Sequence, residues 1–246
     1  NLDCFNFESI VYLLQNITTP QLKILKLNGI MRYRDDFFIN PIHSLREFHF
    51  ETLVYLFEID LNNFLISFPN LTVLLIDCQS NLINFGPNEN CRNLRKLEIN
   101  SYPSGIGALF LLELSQLLQL EWFHIQIKSN FISTSQSNIS SVYFVSLSTL
   151  EIEDSLLNRI QIKANWLRKL TIYCQNIFSY NFSIFPYLEE LKLIGISSES
   201  LFSIFEINSF DLKHFCKIYI KLNEKIRDVV CPSGPINTAI TQIDIR

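Results

Sequence analysis

Apolar residues recur along this chain at one spacing: leucine, two residues, leucine, one residue, leucine, with isoleucine or phenylalanine as occasional substitutes. The spacing is clear in LKILKL from Leu22, in LRKLEI from Leu94 and in LEELKL from Leu188. Eleven stretches follow it, 20 to 27 residues apart, and they begin at Leu2, Leu22, Leu45, Leu71, Leu94, Leu120, Leu147, Leu167, Leu188, Phe215 and Ile240. A self-similar unit of this length predicts a repeat protein whose successive units stack.

Each unit is expected to contain one short β-strand. Side chains alternate between the two faces of a strand, so the second and third apolar positions of a unit point to the same side. One such strand cannot bury its apolar side alone. Units stacked about 5 Å apart would form a continuous parallel sheet over a continuous core. The residues two, four and six places after the first leucine are then expected on the opposite, exposed face.

Three segments between the predicted strands have apolar residues at helical spacing. They are GALFLLELSQLLQ from Gly107, ESLFSIFEINSF from Glu199 and LVYLFEIDLNNFLISF from Leu53. Other connections, such as IFSYNFSIFP, are short and predict irregular structure. The outer side of the repeats is therefore expected to mix helices with irregular segments.

The repeated spacing resembles that of the leucine-rich repeat family, and the resemblance covers nearly all 246 residues. It implies an α/β solenoid, a curved horseshoe with a parallel concave sheet and about eleven repeats in a single domain, residues 1–246. The family's usual asparagine, eight residues after the first leucine, is mostly replaced, at Ile30, Leu53, Gln79, Tyr102, Lys128 and Ser155. The irregular repeats are more similar to those of F-box/leucine-rich-repeat proteins than to those of extracellular receptors.

Repeat strands are predicted very close to both ends of the chain, at Leu2 and Ile240, with no polar unit beyond them. Solenoids need polar terminal units to protect the core from solvent. We therefore expect the natural protein to be longer, and the resemblance implies that an F-box could precede this segment.

Composition and charge narrow the classes of partner. The net charge is −4 with 18% charged residues, so nothing global attracts nucleic acid. The most apolar stretch, IGALFLLELSQLLQLEWFHI, contains too many polar residues for a membrane span, namely Glu113, Gln116, Gln119 and Glu121. We expect a monomer that binds neither nucleic acid nor the membrane interior.

Candidate chemistry is sparse. The four histidines lie in no metal-binding or protease motif, and His49 and His124, three units apart, are expected to be surface residues. Glu151 and Glu153 share a strand face and could do acid–base chemistry, but without a partner base they are expected to form a solvated acidic patch. We expect no enzymatic activity, no metal and no cofactor.

The cysteines and glycosylation motifs are compatible with two locations, inside the cell or outside it. The six cysteines include no C-x-x-C pair and are expected to be free, buried thiols of an intracellular protein. A secreted or cell-surface protein would instead bridge cysteines within a repeat and carry glycans at its N-x-S/T motifs. Those bridges would join Cys78 to Cys91 or Cys216 to Cys231, and the motifs begin at Asn16, Asn70, Asn138 and Asn181.

The exposed face of the predicted sheet is the surface on which repeat proteins usually bind a partner. We expect it to be acidic toward its middle and basic toward the C-terminal end, with aromatic residues as interface anchors. Its predicted binding residues are Glu47, His49, Glu51, Leu75, Asp77, Glu98, Trp122, His124, Glu151, Glu153, Tyr173, Lys192, Lys217, Tyr219 and Lys221. Because both signs of charge are present, the pattern favours a protein partner over a polyanion.

These observations predict a non-catalytic module that recognises another protein. The family resemblance implies, more narrowly, the substrate-recognition part of an F-box-type ubiquitin-ligase receptor inside the cell. The alternative is a secreted or cell-surface receptor or adhesion ectodomain.

Overall fold

The computed structural model describes residues 2–3, 21–28, 41–52, 59–60, 66–78, 83–84, 92–101, 108–127, 141–157, 161–174, 182–197, 217–222 and 242–245. The chain divides into two compact units. The first unit comprises Asn1–Leu120 and His124–Ile139, and the second comprises Glu121–Phe123 and Ser140–Arg246. Strand β8 (Trp122–Ile127) contains the boundary.

In the first unit, parallel strands follow one another in chain order, one from each repeat. They are β1 (Leu2–Asp3), β2 (Ile24–Asn28), β3 (Glu47–Thr52), β5 (Val73–Cys78) and β7 (Lys96–Ser101). The pairs are in register, so Leu25 lies beside Phe48, Phe48 beside Leu74, and Leu74 beside Leu97. A second, two-stranded parallel sheet joins β4 (Ile59–Asp60) to β6 (Ile83–Asn84).

The second unit repeats this arrangement. Its main parallel strands are β10 (Thr149–Glu153), β12 (Lys169–Tyr173), β13 (Glu190–Ile196), β14 (Lys217–Leu222) and β15 (Gln242–Ile245). Strands β9 (Ser141–Tyr143) and β11 (Gln161–Lys163) form a separate parallel pair. The register of β13 shifts between Ile194 and Ile196, where Gly195 has φ = 79°, a left-handed conformation that glycine adopts without a steric penalty.

The predicted inward positions form the core in both units. Residues at the second apolar position of the repeat are buried, for example Phe48, Leu97, Leu150 and Leu191. Residues at the third apolar position are buried as well: Leu27, Phe50, Ile76, Ile99, Ile125, Ile152, Ile172, Leu193 and Ile220. The alternation of buried and exposed side chains along each strand accounts for this pattern. The predicted parallel-strand repeat solenoid is confirmed at this level.

A recurring turn connects each repeat to the one before it. The carbonyl oxygen of Lys23 accepts hydrogen bonds from the backbone N–H groups of Arg46 (2.8 Å) and Glu47 (3.0 Å), and equivalent forked bonds recur in both units. Just before the strand, Leu71 N–H donates to the carbonyl of Phe68, which is completely buried. The repeat therefore has a further apolar position, three residues before its first leucine, that the sequence pattern above did not include.

Helix is scarce in the described residues. It includes α1 (Ala108–Ser115), α2 (Asp154–Leu157), a 3-10 turn at Phe182–Ile184 and the single helical residue Ile66, which lies near the end of the segment predicted from Leu53. Helix α1 confirms the prediction made from Gly107. The helix predicted from Leu53 is wrong at Ile59–Asp60, because these residues form β4 and pair with the equivalent place one repeat later. The segment from Glu199 lies outside the described residues.

Candidate binding surfaces

The exposed face of the first unit contains a connected set of polar side chains. Glu98 accepts a hydrogen bond from Asn100 Nδ2 at 3.1 Å and lies 3.8 Å from the ammonium group of Lys96. Asn100 Oδ1 in turn accepts a hydrogen bond from His124 Nε2 at 2.9 Å. On β3, His49 and Glu47 form a hydrogen bond through Nε2 and Oε1. The carboxylates of Glu47 and Glu98 on this face are therefore engaged with neighbouring donors.

His124 corrects one prediction. Strand alternation places it on the exposed face, yet only 7% of its surface is accessible. The hydrogen bond to Asn100 holds its ring among the neighbouring side chains, so it is withdrawn from solvent. Alternation along the strand determines the face on which a side chain lies, but the packing of adjacent side chains determines whether it is accessible to solvent. The prediction that His124 is a surface residue is therefore wrong.

Glu153 corrects a second prediction. It ends β10 directly before α2 begins at Asp154, and it is only 3% exposed. Glu151 lies two residues earlier on the same strand and the same face. It is half-buried and accepts a hydrogen bond from Tyr173 OH at 3.3 Å. The two carboxylates therefore have different surroundings and do not form the solvated acidic patch expected from the sequence.

A buried thiol lies near Asp154, the residue that follows Glu153. Cys174 follows β12, is free, and directs its Sγ toward the carbonyl oxygen of Ile172 at 3.8 Å. Burial and, to a smaller extent, the negative charge of Asp154 raise the pKa of this thiol to about 12, although a backbone hydrogen bond with Ile194 acts in the opposite direction. The thiol is therefore protonated at neutral pH and is a poor nucleophile. The side chains of the other five cysteines lie outside the described part of the chain.

The exposed face of the second unit carries lysines around a tyrosine. On β14, Tyr219 lies between Lys217 and Lys221, each two residues away on the same face, a spacing of about 7 Å. Lys192 on β13 is the direct strand partner of Tyr219, and Glu190 is the partner of Lys217. None of these three lysines forms an ion pair with another residue that the structure describes.

The fifteen predicted binding residues divide between the two units, with seven in the first and eight in the second. Three are exposed: Glu51, Lys192 and Lys221. Ten are half-buried: Glu47, His49, Leu75, Asp77, Glu98, Trp122, Glu151, Tyr173, Lys217 and Tyr219. The remaining two are the buried His124 and Glu153.

The sequence pattern missed an exposed aromatic pair in the second unit. Trp166 and Tyr187 are stacked, with ring centroids 5.4 Å apart and planes 9° apart. Each stands immediately before the first leucine of its repeat, in NWL and PYL. The signal was present in the sequence, but the pattern began at the leucine and excluded the turn before it.

Neither a metal site nor a membrane span is found in the described residues. No group of three or more histidine, cysteine, aspartate or glutamate residues there could hold a metal ion. No helix among them has both the length and the apolar character needed to cross a membrane.

Comparison with known proteins gives no assignment. Protein-family models, curated proteins and solved structures all return no match for this chain.

Proposed function

We propose that the chain is a non-catalytic recognition module that binds a partner protein through the exposed face of its parallel sheet. The observation that supports this most is the lysine group around Tyr219. Tyrosine provides a large, rigid contact surface with a polar tip, and it is enriched at the centres of protein interfaces. The surrounding ammonium groups of Lys192, Lys217 and Lys221 would orient a partner that carries carboxylates.

The chemistry of the described residues is compatible with binding by shape and charge. Lysine stems can cover apolar partner surface while their ammonium groups remain in water. Glu190 beside Lys217 adds the opposite charge at one edge, so the face is mixed in sign rather than uniformly basic. Such a face favours a protein over a nucleic acid, which would require an unbroken basic stripe. The proposal includes no catalytic step.

The proposed compartment is intracellular, and Cys174 and Asn70 support it. Cys174 is a free, buried thiol, which is usual in a reducing compartment. Asn70, which begins an N-x-T motif, is half-buried, and its Nδ2 donates to the carbonyl of His43 at 2.9 Å. The alternative is a secreted receptor or adhesion ectodomain. If this motif were glycosylated in such a protein, the glycan would be attached to Asn70 Nδ2, the atom that donates this hydrogen bond. The other three motifs lie outside the described residues.

We also propose, from the family resemblance, that the module is the substrate-recognition part of an F-box-type ubiquitin-ligase receptor. The repeated strand and the recurring turn are consistent with that resemblance. The test is purification of the natural full-length protein under native conditions, followed by mass spectrometry. Recovery of ubiquitin-ligase scaffold subunits is the expected result, and their absence beside a stably recovered substrate-like partner would contradict this narrower proposal.

The binding proposal itself is tested with charge-matched variants. We would compare the wild-type chain with the double variant Lys192→Glu/Tyr219→Ala and with Lys23→Glu, which reverses an exposed lysine on a turn of the first unit. Quantitative affinity purification should recover the same partner with wild type and Lys23→Glu, and about tenfold less with the double variant. Equal recovery by all three, with unchanged thermal stability, would exclude this face as the binding surface.

A further inference from the structure

The stacked pair of Trp166 and Tyr187 occupies equivalent corners of successive repeats in the second unit. Trp166 is 55% exposed and Tyr187 is 41% exposed, although both are large aromatic residues. The leucines that follow them, Leu167 and Leu188, are completely buried. The buried leucines therefore anchor the backbone at both corners, while the two aromatic rings remain accessible to solvent.

The turn itself does not require an aromatic residue at this corner. In the first unit the same place holds Asn70 and Asn93, whose side-chain amides donate to backbone carbonyls of the preceding repeat at 2.9 and 3.2 Å. These asparagines stabilise the turn, because their amides donate hydrogen bonds to carbonyl groups of the preceding repeat. In the second unit the same place holds the aromatic rings of Trp166 and Tyr187, and their exposure to water is unfavourable for apolar surface.

Tyr143, another exposed aromatic residue of the second unit, is connected to this corner through Asn165. Tyr143 and Val145 are the other two large apolar side chains that are exposed in the described part of this unit. Asn165, beside Trp166, donates from Nδ2 to Tyr143 OH at 3.1 Å, which connects the two groups. Exposed apolar residues scattered singly are ordinary, but a contiguous group usually marks an interaction site.

The charges near Trp166 are positive. Lys163 and Lys169 stand three residues before and after it; both are exposed and neither forms an ion pair with a described residue. Arg168 is also exposed, and its Nη1 lies 3.5 Å from Glu189 Oε1. Glu190 is the direct strand partner of Lys169, so Arg168 and Lys169 each have a carboxylate beside them on the next strand. Three cationic side chains against two carboxylates leave the corner with an excess of positive charge.

We infer that this corner binds a short acidic peptide segment of a partner protein, with an apolar or proline side chain against the stacked rings and carboxylates beside Lys163 and Lys169. Aromatic surfaces bind proline and apolar side chains with little loss of conformational entropy, and tryptophan and tyrosine are the residues most enriched at binding hot spots. The flanking lysines then select acidic over basic sequences. The inference shares with the proposed function only the premise that the chain binds a protein, and it uses a different surface.

The test is selection of peptides from a random library displayed on phage, with the intact chain as the immobilised target. Selected peptides should be enriched in aspartate and glutamate around a proline or apolar residue. Synthetic copies should bind Trp166→Ala at least about tenfold more weakly than wild type. They should also bind Lys163→Glu/Lys169→Glu more weakly, with a reduced dependence on salt concentration, because fewer ion pairs remain to be screened.

Two control variants separate the possible failures. Leu118→Ala removes an exposed apolar residue from a turn of the first unit and should leave peptide binding unchanged. The variant Lys192→Glu/Tyr219→Ala should also leave it unchanged, so the corner and the sheet face are tested independently. Selection of basic peptides, equal affinity for Trp166→Ala, or no selection above background would each overturn the inference. A loss confined to Lys192→Glu/Tyr219→Ala would overturn it while supporting the sheet face.

Discussion

Replacing Leu170 by alanine tests whether the repeats share one packed core. Leu170 lies in the middle of β12, is 1% exposed, and is the direct strand partner of Leu150 and Leu191, which are completely buried. The change removes three carbon atoms, worth about 2.4 kcal/mol of transfer free energy at about 0.8 kcal/mol each. Backbone ladders on both sides hold the neighbouring strands apart, so the cavity should collapse poorly and add about 1–2 kcal/mol. We therefore expect Leu170→Ala to lower the free energy of unfolding by about 4 kcal/mol.

Urea unfolding followed by tryptophan fluorescence is the appropriate assay. The chain has two tryptophans, Trp122 and Trp166, and both belong to the second unit, as Leu170 does. The matched control is Thr171→Ala, the next residue of the same strand on the opposite, half-buried face, with an expected loss of less than about 1 kcal/mol. Midpoints should shift at constant slope. Equal, small losses in both variants would show that Leu170 is not a core residue and would refute the packing argument.

Two further predictions concern Cys174 and Asn70. The thiol of Cys174 loses its proton at a lower pH in the unfolded chain than in the folded protein, where its pKa is raised to about 12. The stability that results from this difference is fully present below about pH 9 and is lost as the pH rises toward about 12. Cys174→Ala should therefore be less destabilised by alkali over that range in unfolding experiments, and parallel pH profiles would contradict this. Asn70→Ala should lower the free energy of unfolding by about 1 kcal/mol in urea titrations, because the carbonyl of His43 loses one of its two side-chain donors and keeps only Arg46 Nη1. A loss within error of zero would show that this bond does not stabilise the turn.

The inward side chains could be predicted from the sequence because their direction depends on local geometry alone. Phe48 and Ile99 belong to repeats of different composition, yet both occupy predicted inward places and are buried. Alternation along a strand is independent of what surrounds it. The register of the parallel pairs follows from the same spacing, because a shift by one residue would turn the apolar side chains toward solvent.

The exceptions depend on contacts between residues distant in sequence. His124 starts from the exposed face and is buried beside Asn100, and Glu153 is buried where its strand runs into a helix. Ile59 lies in a segment with helical periodicity but pairs with Ile83 one repeat later. Trp166 was missed for a simpler reason, since the pattern did not extend into the turn. The sequence therefore predicted which face of the sheet carries the candidate site, but it did not predict which individual side chains are exposed there.

An engineered disulfide between strands tests the parallel, in-register stacking most directly. Thr171 on β12 and Lys192 on β13 are direct strand partners, and parallel partners lie about 4.8 Å apart, within the range that a disulfide spans. Thr171→Cys/Lys192→Cys should form this bond under mild oxidation, as identified by peptide mapping. Thr171→Cys/Glu190→Cys should not, because Glu190 is the partner of Lys169 and lies on a diagonal of about 8 Å. Bridging of residues 171 and 190 instead of 171 and 192 would contradict the register and the solenoid built on it.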